Sequence, residues 1–288
     1  MSVDVSVVVV TYNSREVVRG CIDSVRAHTR GVSYELVVVD NASPDGTGAE
    51  VARVYPDVRV LHRARNDGLS AAINDGVAAS SGTSIASLNP DVRFEDDVLA
   101  TLAGYLRAHP DVGIVAPQIR DDDGALQLSC RAFPGYSTAI FSRYSLLTRL
   151  LPGNRFSRRY LMSDADHDAV RDVDWVSGAA LMLPRTVFDA VGGWDAGYFM
   201  FSEDVDLCRR VHDAGWRVVY NPRAVVRHTI GVSKHPTARL ILARHQSMWR
   251  YYRKHMRRNA AVDAITAAGI AARAGATLAA HGVRSLAR

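Results

Sequence analysis

Short runs of β-branched residues alternate along the chain with stretches whose apolar positions recur every three or four residues. Val5 to Val10 is almost unbroken valine, the pattern of a strand covered on both faces. Arg15 to Ala27 puts Val18, Ile22 and Val25 on one side, which predicts a helix with Ser14 as its N-cap. Tyr34 to Val39 predicts a second buried strand ending at Asp40, Thr47 to Tyr55 a short helix, and Val58 to Leu61 a third strand. Leu69 to Ala79 reads as a small-residue helix that can approach a sheet closely. Ser84 to Leu88 reads as a fourth strand ending at Asn89-Pro90-Asp91, Glu95 to Ala108 as a helix and Val112 to Ala116 as a fifth strand.

Strands alternating with helices predict a Rossmann-like α/β fold, a mostly parallel sheet with helices on both faces. Ligands of such sheets sit outside the carboxyl ends of the strands. Three polar clusters fall at those ends: Thr11-Tyr12-Asn13, Asp40-Asn41 and Asn89-Pro90-Asp91. The stretch from Gln118 to Asp174 is less regular. Within it Asp121-Asp122-Asp123-Gly124 predicts a hairpin turn, and Ser137 to Leu151 is amphipathic, a helix or a loop. Further on, Trp175 to Leu183 predicts a strand through Ser177-Gly178-Ala179-Ala180, Gly192-Gly193-Trp194-Asp195 a tight loop, and Val205 to Ala214 a helix. Arg217 to Tyr220 and Ala224 to Arg227 predict two strands. Pro236 to Met256 predicts a basic helix rich in aromatics, and the alanine-rich remainder after Asn259 a helical tail. The expected organisation is one unit over 1–256, divided into a first half (1–117), a second half (118–235) and the basic helix (236–256), followed by the tail at 257–288.

Composition narrows this picture. Hydrophobic residues make up 48% and charged residues 23% of 288, as in ordinary globular chains. Three scattered cysteines (Cys21, Cys130, Cys208) do not make a disulfide framework or a cysteine zinc cluster and fit a reducing compartment. Val5 to Val10 lacks a basic flank and a small-residue cleavage site, so it reads as a strand rather than a signal peptide, and the expected location is cytoplasmic. The net charge of +5 is uneven: ten of the 35 Lys/Arg but only one of the 30 Asp/Glu lie from Arg239 onward. A mildly acidic body with a basic tail is unlike a nucleic-acid-binding protein. The tail could meet phosphates on nucleic acid, a lipid surface or a lipid-linked substrate, or is simply a solvated helix.

Several residues carry candidate chemistry. No glycine-rich phosphate loop follows the first strand, which argues against a dinucleotide dehydrogenase, a P-loop NTPase or a sugar nucleotidyltransferase. Alone, Asp40 reads as a turn residue; with Thr11 and Asn89 at parallel strand ends, a nucleoside-binding role stands beside that reading. Asn89-Pro90-Asp91 is either an ordinary Asn-Pro turn or a site that places Asp91 beside a divalent cation. Glu203 and Asp204 open a helix, where the dipole favours acids, yet they follow the aromatic stretch Tyr198-Phe199-Met200-Phe201 and one of them could serve as a general base. Asp206 reads as structural. His228 could offer a ring nitrogen to a metal in the company of Asp91. Arg244, Arg250 and Arg253, interleaved with Trp249, Tyr251 and Tyr252, suit contact with a diphosphate or an anionic membrane.

In this order the motifs Val7-Val8-Val9-Val10-Thr11-Tyr12-Asn13, Val37-Val38-Val39-Asp40-Asn41-Ala42-Ser43, Asn66-Asp67-Gly68 with Asn74 and Gly76, Leu88-Asn89-Pro90-Asp91, Gly192-Gly193-Trp194-Asp195, Phe201-Ser202-Glu203-Asp204-Val205-Asp206 and His228 resemble the family 2 glycosyltransferases of GT-A fold. The narrower likeness is to the bacterial rhamnosyltransferase-like branch. The resemblance implies inverting transfer of a sugar from a nucleoside diphosphate, with dTDP-L-rhamnose or a UDP-sugar as donor and a cell-envelope or polyprenyl-diphosphate-linked saccharide as acceptor. It implies that Thr11, Tyr12, Asn13, Asp40, Asn66, Gly68 and Asn89 form the nucleotide-sugar site. It also implies that Asp91 and His228 meet Mg²⁺ or Mn²⁺, that Asp204 is the base with Glu203 as its rival, and that Trp194, Asp195, Trp175 and Gly178 lie on the acceptor side. Many members have Asp-x-Asp where this chain has Asn89-Pro90-Asp91. The missing carboxylate keeps open a non-catalytic nucleotide-sugar-binding scaffold as the alternative.

Overall fold

The computed structural model describes residues 3–136, 155–229 and 237–286. The amphipathic stretch Ser137 to Leu151 lies outside them. In chain order the elements are β1 (Val5–Thr11), α1 (Val18–His28), β2 (Tyr34–Asp40), α2 (Thr47–Val54), β3 (Arg59–His62), α3 (Leu69–Ala78), β4 (Ser84–Leu88), β5 (Val92–Phe94), α4 (Val98–Ala108), β6 (Val112–Arg120), β7 (Leu126–Gln127) and β8 (Cys130–Arg131). They continue with α5 (Arg155–Leu161), β9 (Arg171–Asp172), β10 (Trp175–Val176), β11 (Ala180–Pro184), α6 (Arg185–Val191), α7 (Glu203–Asp213), β12 (Arg217–His228), α8 (Ala238–His255) and α9 (Ala260–Leu286).

One sheet runs in the order β3-β2-β1-β4-β11-β6-β12-β5, with β7 on β6 and β9 on β12. The β3-β2-β1-β4 block is parallel, as the alternation predicts. Strand β11 then enters antiparallel between β4 and β6. The valine run is explained by the two layers that flank it. Val7 and Val9 face a core with Val18, Ile22 and Val25 of α1 and with Leu99 and Leu102 of α4. Val8 and Val10 face the opposite core with Ala72 and Ile73 of α3 and with Leu207 and Val211 of α7. Each such valine is buried, and removing one from water is worth about 2 kcal/mol, so both faces select against polar residues.

Three expectations change in detail, and one strand is added. Ser14 does not cap α1 with its hydroxyl. Its carbonyl accepts from Val17 and Val18 N–H, while its hydroxyl turns back to Tyr12 O. Trp175 to Leu183 is not one strand: Ser177-Gly178-Ala179 loops out between β10 and β11, and β10 pairs with β8 in a separate small sheet. Arg217 to Arg227 is one strand, not two, because the irregularity between Asn221 and Val225 is absorbed while β12 keeps pairing with β6. The three-residue strand β5, unmarked by any run in the sequence, pairs antiparallel with the end of β12 and sets His228 opposite Val92. The predicted turn at Asp121 to Gly124 does join β6 and β7 as a hairpin. The basic helix α8 leads into α9, which packs on it, and among the described residues no helix is long and apolar enough to cross a membrane.

Candidate active site

The polar strand ends meet in a continuous chain of contacts. Thr11 and Asp40 are register partners on β1 and β2, and the Thr11 hydroxyl donates to Asp40 Oδ1 at 3.2 Å. Both are buried, and α2 approaches so closely that a Cβ on Gly48 would sit 2.7 Å from the Asp40 carboxylate. Tyr12 stands at the end of β1 with 45% of its surface exposed, and Asn13 follows with φ 54° and its N–H on the Ser43 hydroxyl. Next to Asp40, the Asn41 amide donates to Asn66 Oδ1 at 2.9 Å and to Gly68 O at 3.1 Å. Beside this corner His62, Arg63, Arg65, Asp67 and Asp75 line an open cavity of about 360 Å³.

From Gly68 the contacts pass to the acidic helix. Gly68 has φ 103°, and a Cβ there would lie 2.4 Å from Phe199 O, so only glycine fits. Leu69 N–H donates to that same Phe199 carbonyl. Phe201 and Ser202 follow with φ of 71° and 64°, two successive left-handed non-glycine residues that turn the chain sharply into α7. Backbone strain of this kind gathers at functional sites. It delivers Glu203 and Asp204 to the first turn of α7.

The two acids are held differently. Glu203 is 6% exposed, and its Oε2 has no hydrogen-bond partner. Burial, and then the neighbouring Asp204 charge, push its carboxyl above the usual range. Asp204 is half-buried and oriented by two backbone donors, Gly178 N–H to Oδ2 at 3.1 Å and Val205 N–H to Oδ1 at 2.8 Å. Burial raises its pKa too, against the pull of those amides and of Arg131. A partly exposed, fixed carboxylate with a raised pKa has the properties of a general base. Glu203 has the raised pKa without the access.

The loop that holds Asp204 also reaches the third polar cluster. Ala179 O, next to Gly178, accepts from Asn89 N–H at 2.8 Å. Two residues on, Asp91 Oδ1 lies 3.2 Å from His228 Nε2, and Asn89 Nδ2 lies 3.5 Å from the same nitrogen. Asp91 Oδ1 is buried, and despite that proximity no hydrogen bond satisfies it. One orphaned carboxylate oxygen beside one imidazole nitrogen suits a divalent cation. No group of three or more such side chains occurs among the described residues, so phosphate and water oxygens would complete the shell.

Other candidates sit elsewhere. The Trp175 ring is buried and donates Nε1–H to Ala132 O, and Trp194 is 2% exposed and packs on Phe188. Asn74 clamps the Trp194 backbone through both N–H and C=O. Both rings therefore belong to the core rather than to an open acceptor wall. Asp195 and Arg250, assigned to acceptor and phosphate respectively, pair with each other at 2.7 Å, and Lys254 joins them. Burial would raise the Asp195 carboxyl, but those two cations and Gly197 N–H hold it well below the usual range. Arg253 is exposed on α8. Arg244 stacks on Phe201, 4.5 Å from the ring centroid, beside the turn into α7. Reading the sequence missed Arg239, which stacks on Phe199 and reaches Asn66 O, and Arg131, which bears on Asp204. Spacing alone does not mark either residue.

This arrangement has relatives. The profile of Glycosyl transferase family 2 matches residues 6–164, and that of Glycosyl transferase family group 2 matches residues 133–262. The N-acetylglucosaminyl-diphospho-decaprenol L-rhamnosyltransferase of Mycobacterium tuberculosis is 32% identical over 238 residues, 75% of this chain and 76% of its own. Rhamnosyltransferase WbbL of Escherichia coli K12 is 32% identical over 139 residues, 48% of this chain and 49% of its own. Among solved structures, the mannosyltransferase PcManGT of Pyrobaculum calidifontis, in complex with GDP-Man and Mn²⁺, superposes with TM-score 0.61 over 99% of this chain and 81% of its own at 18% identity. GalNAc-T7 with UDP, GalNAc and Mn²⁺ gives 0.62 over 87% of this chain and 48% of its own at 15% identity. These two likenesses carry the GT-A fold, and the sequence matches carry the family. With strand ends, acidic helix and relatives in agreement, the chain belongs to the rhamnosyltransferase-like family 2 glycosyltransferases.

Proposed function

We propose that the protein transfers L-rhamnose from dTDP-L-rhamnose, with inversion, to a hydroxyl of a polyprenyl-diphosphate-linked saccharide. The observation that carries this reading is the unbroken contact path from Thr11–Asp40 through Asn66–Gly68 and Glu203–Asp204 to Asn89–Asp91–His228. It supports reading Thr11–Asp40 as the nucleoside end, Asp204 as the base and Asp91–His228 as the cation-holding pair. The choice of sugar and acceptor follows the name of the mycobacterial relative.

In this reading the exposed Tyr12 face stacks on the base, Asp40 accepts from the nucleoside, and Asn66 and Gly68 shape the wall. Asp91 and His228 would hold Mg²⁺ or Mn²⁺, which would supply positive charge for the departing diphosphate. Asp204 takes the proton of the acceptor hydroxyl as that oxygen attacks the anomeric carbon, and the diphosphate leaves from the opposite side. A single displacement inverts the centre and needs no nucleophilic serine or cysteine. Arg239 and Arg244, leaning over Phe199 and Phe201, add positive charge at the rim, and exposed Arg253 suits an anionic membrane surface at the inner face of the cell membrane.

The test is transfer by the full chain from a panel of dTDP-rhamnose, UDP-galactose, UDP-N-acetylglucosamine and GDP-mannose to a short-chain prenyl-diphospho-N-acetylglucosamine, with Mg²⁺ or Mn²⁺. Rhamnosylated product of inverted anomeric configuration is expected. Nucleotide-sugar binding without turnover on any pair would favour the scaffold alternative.

A further inference from the structure

The hairpin of β6 and β7 ends beside His228, and one of its side chains determines which imidazole nitrogen is free. Gln127 is the last residue of β7, paired with Ile119. Its Nε2 donates to Asp121 Oδ1 at 2.5 Å and to the His228 carbonyl at 2.7 Å. Its Oε1 lies 3.1 Å from His228 Nδ1. The amide has only one sensible orientation. Flipped, its oxygen would face two oxygen acceptors and its NH₂ would face the ring. An oxygen acceptor at Nδ1 requires Nδ1 to carry the proton. In the neutral ring Nε2 then bears a lone pair, and it points to the Asn89 amide at 3.5 Å and to Asp91 Oδ1 at 3.2 Å. Two electron-pair donors, one of them an orphaned buried oxygen, then lie side by side, an arrangement that a divalent cation satisfies.

We propose that Gln127 is a positioning residue that locks His228 in the Nδ1–H tautomer and so presents the Nε2 lone pair, together with Asp91, to the divalent cation. The proposal rests on the reading of Asp91 and His228 as the cation-holding pair. The chemistry is general: a ligating histidine almost always donates its second ring N–H to an acceptor, and losing that acceptor typically costs about 10- to 100-fold in metal affinity or activity. Gln127 touches neither cation nor substrate. It acts through the ring, on a hairpin whose turn it helps to hold through Asp121.

Two measurements on the full chain separate this proposal from the reading beneath it. The first is the ¹⁵N spectrum of histidine-labelled protein without metal at pH 8, with His228 assigned by substitution. The wild type is expected to show the Nδ1–H tautomer, and Gln127→Leu a mixture or the Nε2–H form. An Nε2–H ring or an imidazolium in the wild type overturns the proposal. The second is Mn²⁺ titration followed by electron paramagnetic resonance. Gln127→Leu is expected to bind at least tenfold more weakly with little change in Tm. The double variant Gln127→Glu/Asp121→Asn, which restores an acceptor at Nδ1 but no donor to the His228 carbonyl, is expected to return to within about threefold of wild type. Equal Mn²⁺ affinity in the wild type and Gln127→Leu overturns the proposal, as does failure of the double variant to recover. Absence of Mn²⁺ binding by the wild type, with or without nucleoside diphosphate, would instead remove the cation-holding pair, while the tautomer measurement still decides the role of Gln127.

Discussion

Asp204 and Asp206 lie two residues apart in the first turn of the same helix, yet their surroundings are opposite. Asp206 is fully buried and meets Arg210 at 2.8 Å, Lys254 at 2.8 Å, His255 at 2.7 Å and the Tyr198 hydroxyl at 3.3 Å. Burial works against its ionised form, but His255, Lys254 and Arg210 prevail and hold it at about 2. Asp204 has two backbone amides and the more distant Arg131, and for it burial wins. One carboxylate is fully committed to joining α7 to α8; the other keeps an affinity for a proton and a partly open face. Sequence neighbours thus divide between a committed carboxylate and an available one, and the division follows from Arg210, Lys254 and His255 all lying against Asp206.

The comparison breaks most sharply by substitution. Asp204→Asn is expected to lower kcat by about 10³-fold or more, within the range general bases contribute, while the Tm and nucleotide affinity stay near wild type. Retention of a tenth of the activity would move the base elsewhere, with Glu203 the next to test. Asp206→Asn should do the reverse. Leaving Arg210 and Lys254 around a neutral amide is expected to cost about 3 to 5 kcal/mol of stability, read by urea denaturation, with kcat preserved in the fraction that stays folded. A change under 1 kcal/mol would mean that the cluster is not what binds the two helices.

The smallest effect is in pH. Asp206 has a folded pKa below its unfolded value. Its stabilisation is therefore complete above about 4 and lost as pH falls toward 2, a term of about 2 kcal/mol. The Glu203–Asp204 pair is shifted the other way, so the acid limb of kcat/KM should lie above the ordinary carboxylate range and separate from acid unfolding. Coincident limbs would show that activity is lost only because the fold is lost.

How far all this could be read from the chain depends on burial. The parallel block was legible because β1, β2 and β4 are covered on both faces, and such strands have no polar side to confuse the pattern. The acids at Glu203 and Asp204 were legible as a pair, but which one remains accessible depends on the Ser177–Ala179 loop, whose partner lies 26 residues away in sequence. That loop also broke a run that looked like one strand. The resemblance placed Trp194 on the acceptor side, whereas Asn74 and Phe188 hold it inward. The turn at Phe201–Ser202 carries no glycine and so gave no signal. Arg250 was read as a free cation because its acid, Asp195, is 55 residues earlier.

The irregularity in β12 has a consequence for how His228 is kept beside Asp91. Between Asn221 and Val225 the strand slips against β6, then continues to set His228 opposite Val92 of β5. Side chains along a strand alternate between faces, so the bulge works as a spacer with a parity. Gain or loss of one residue there would aim Arg227 or Thr229 at Asp91 in place of the imidazole, whereas a change of two would keep the face and only slide the strand along.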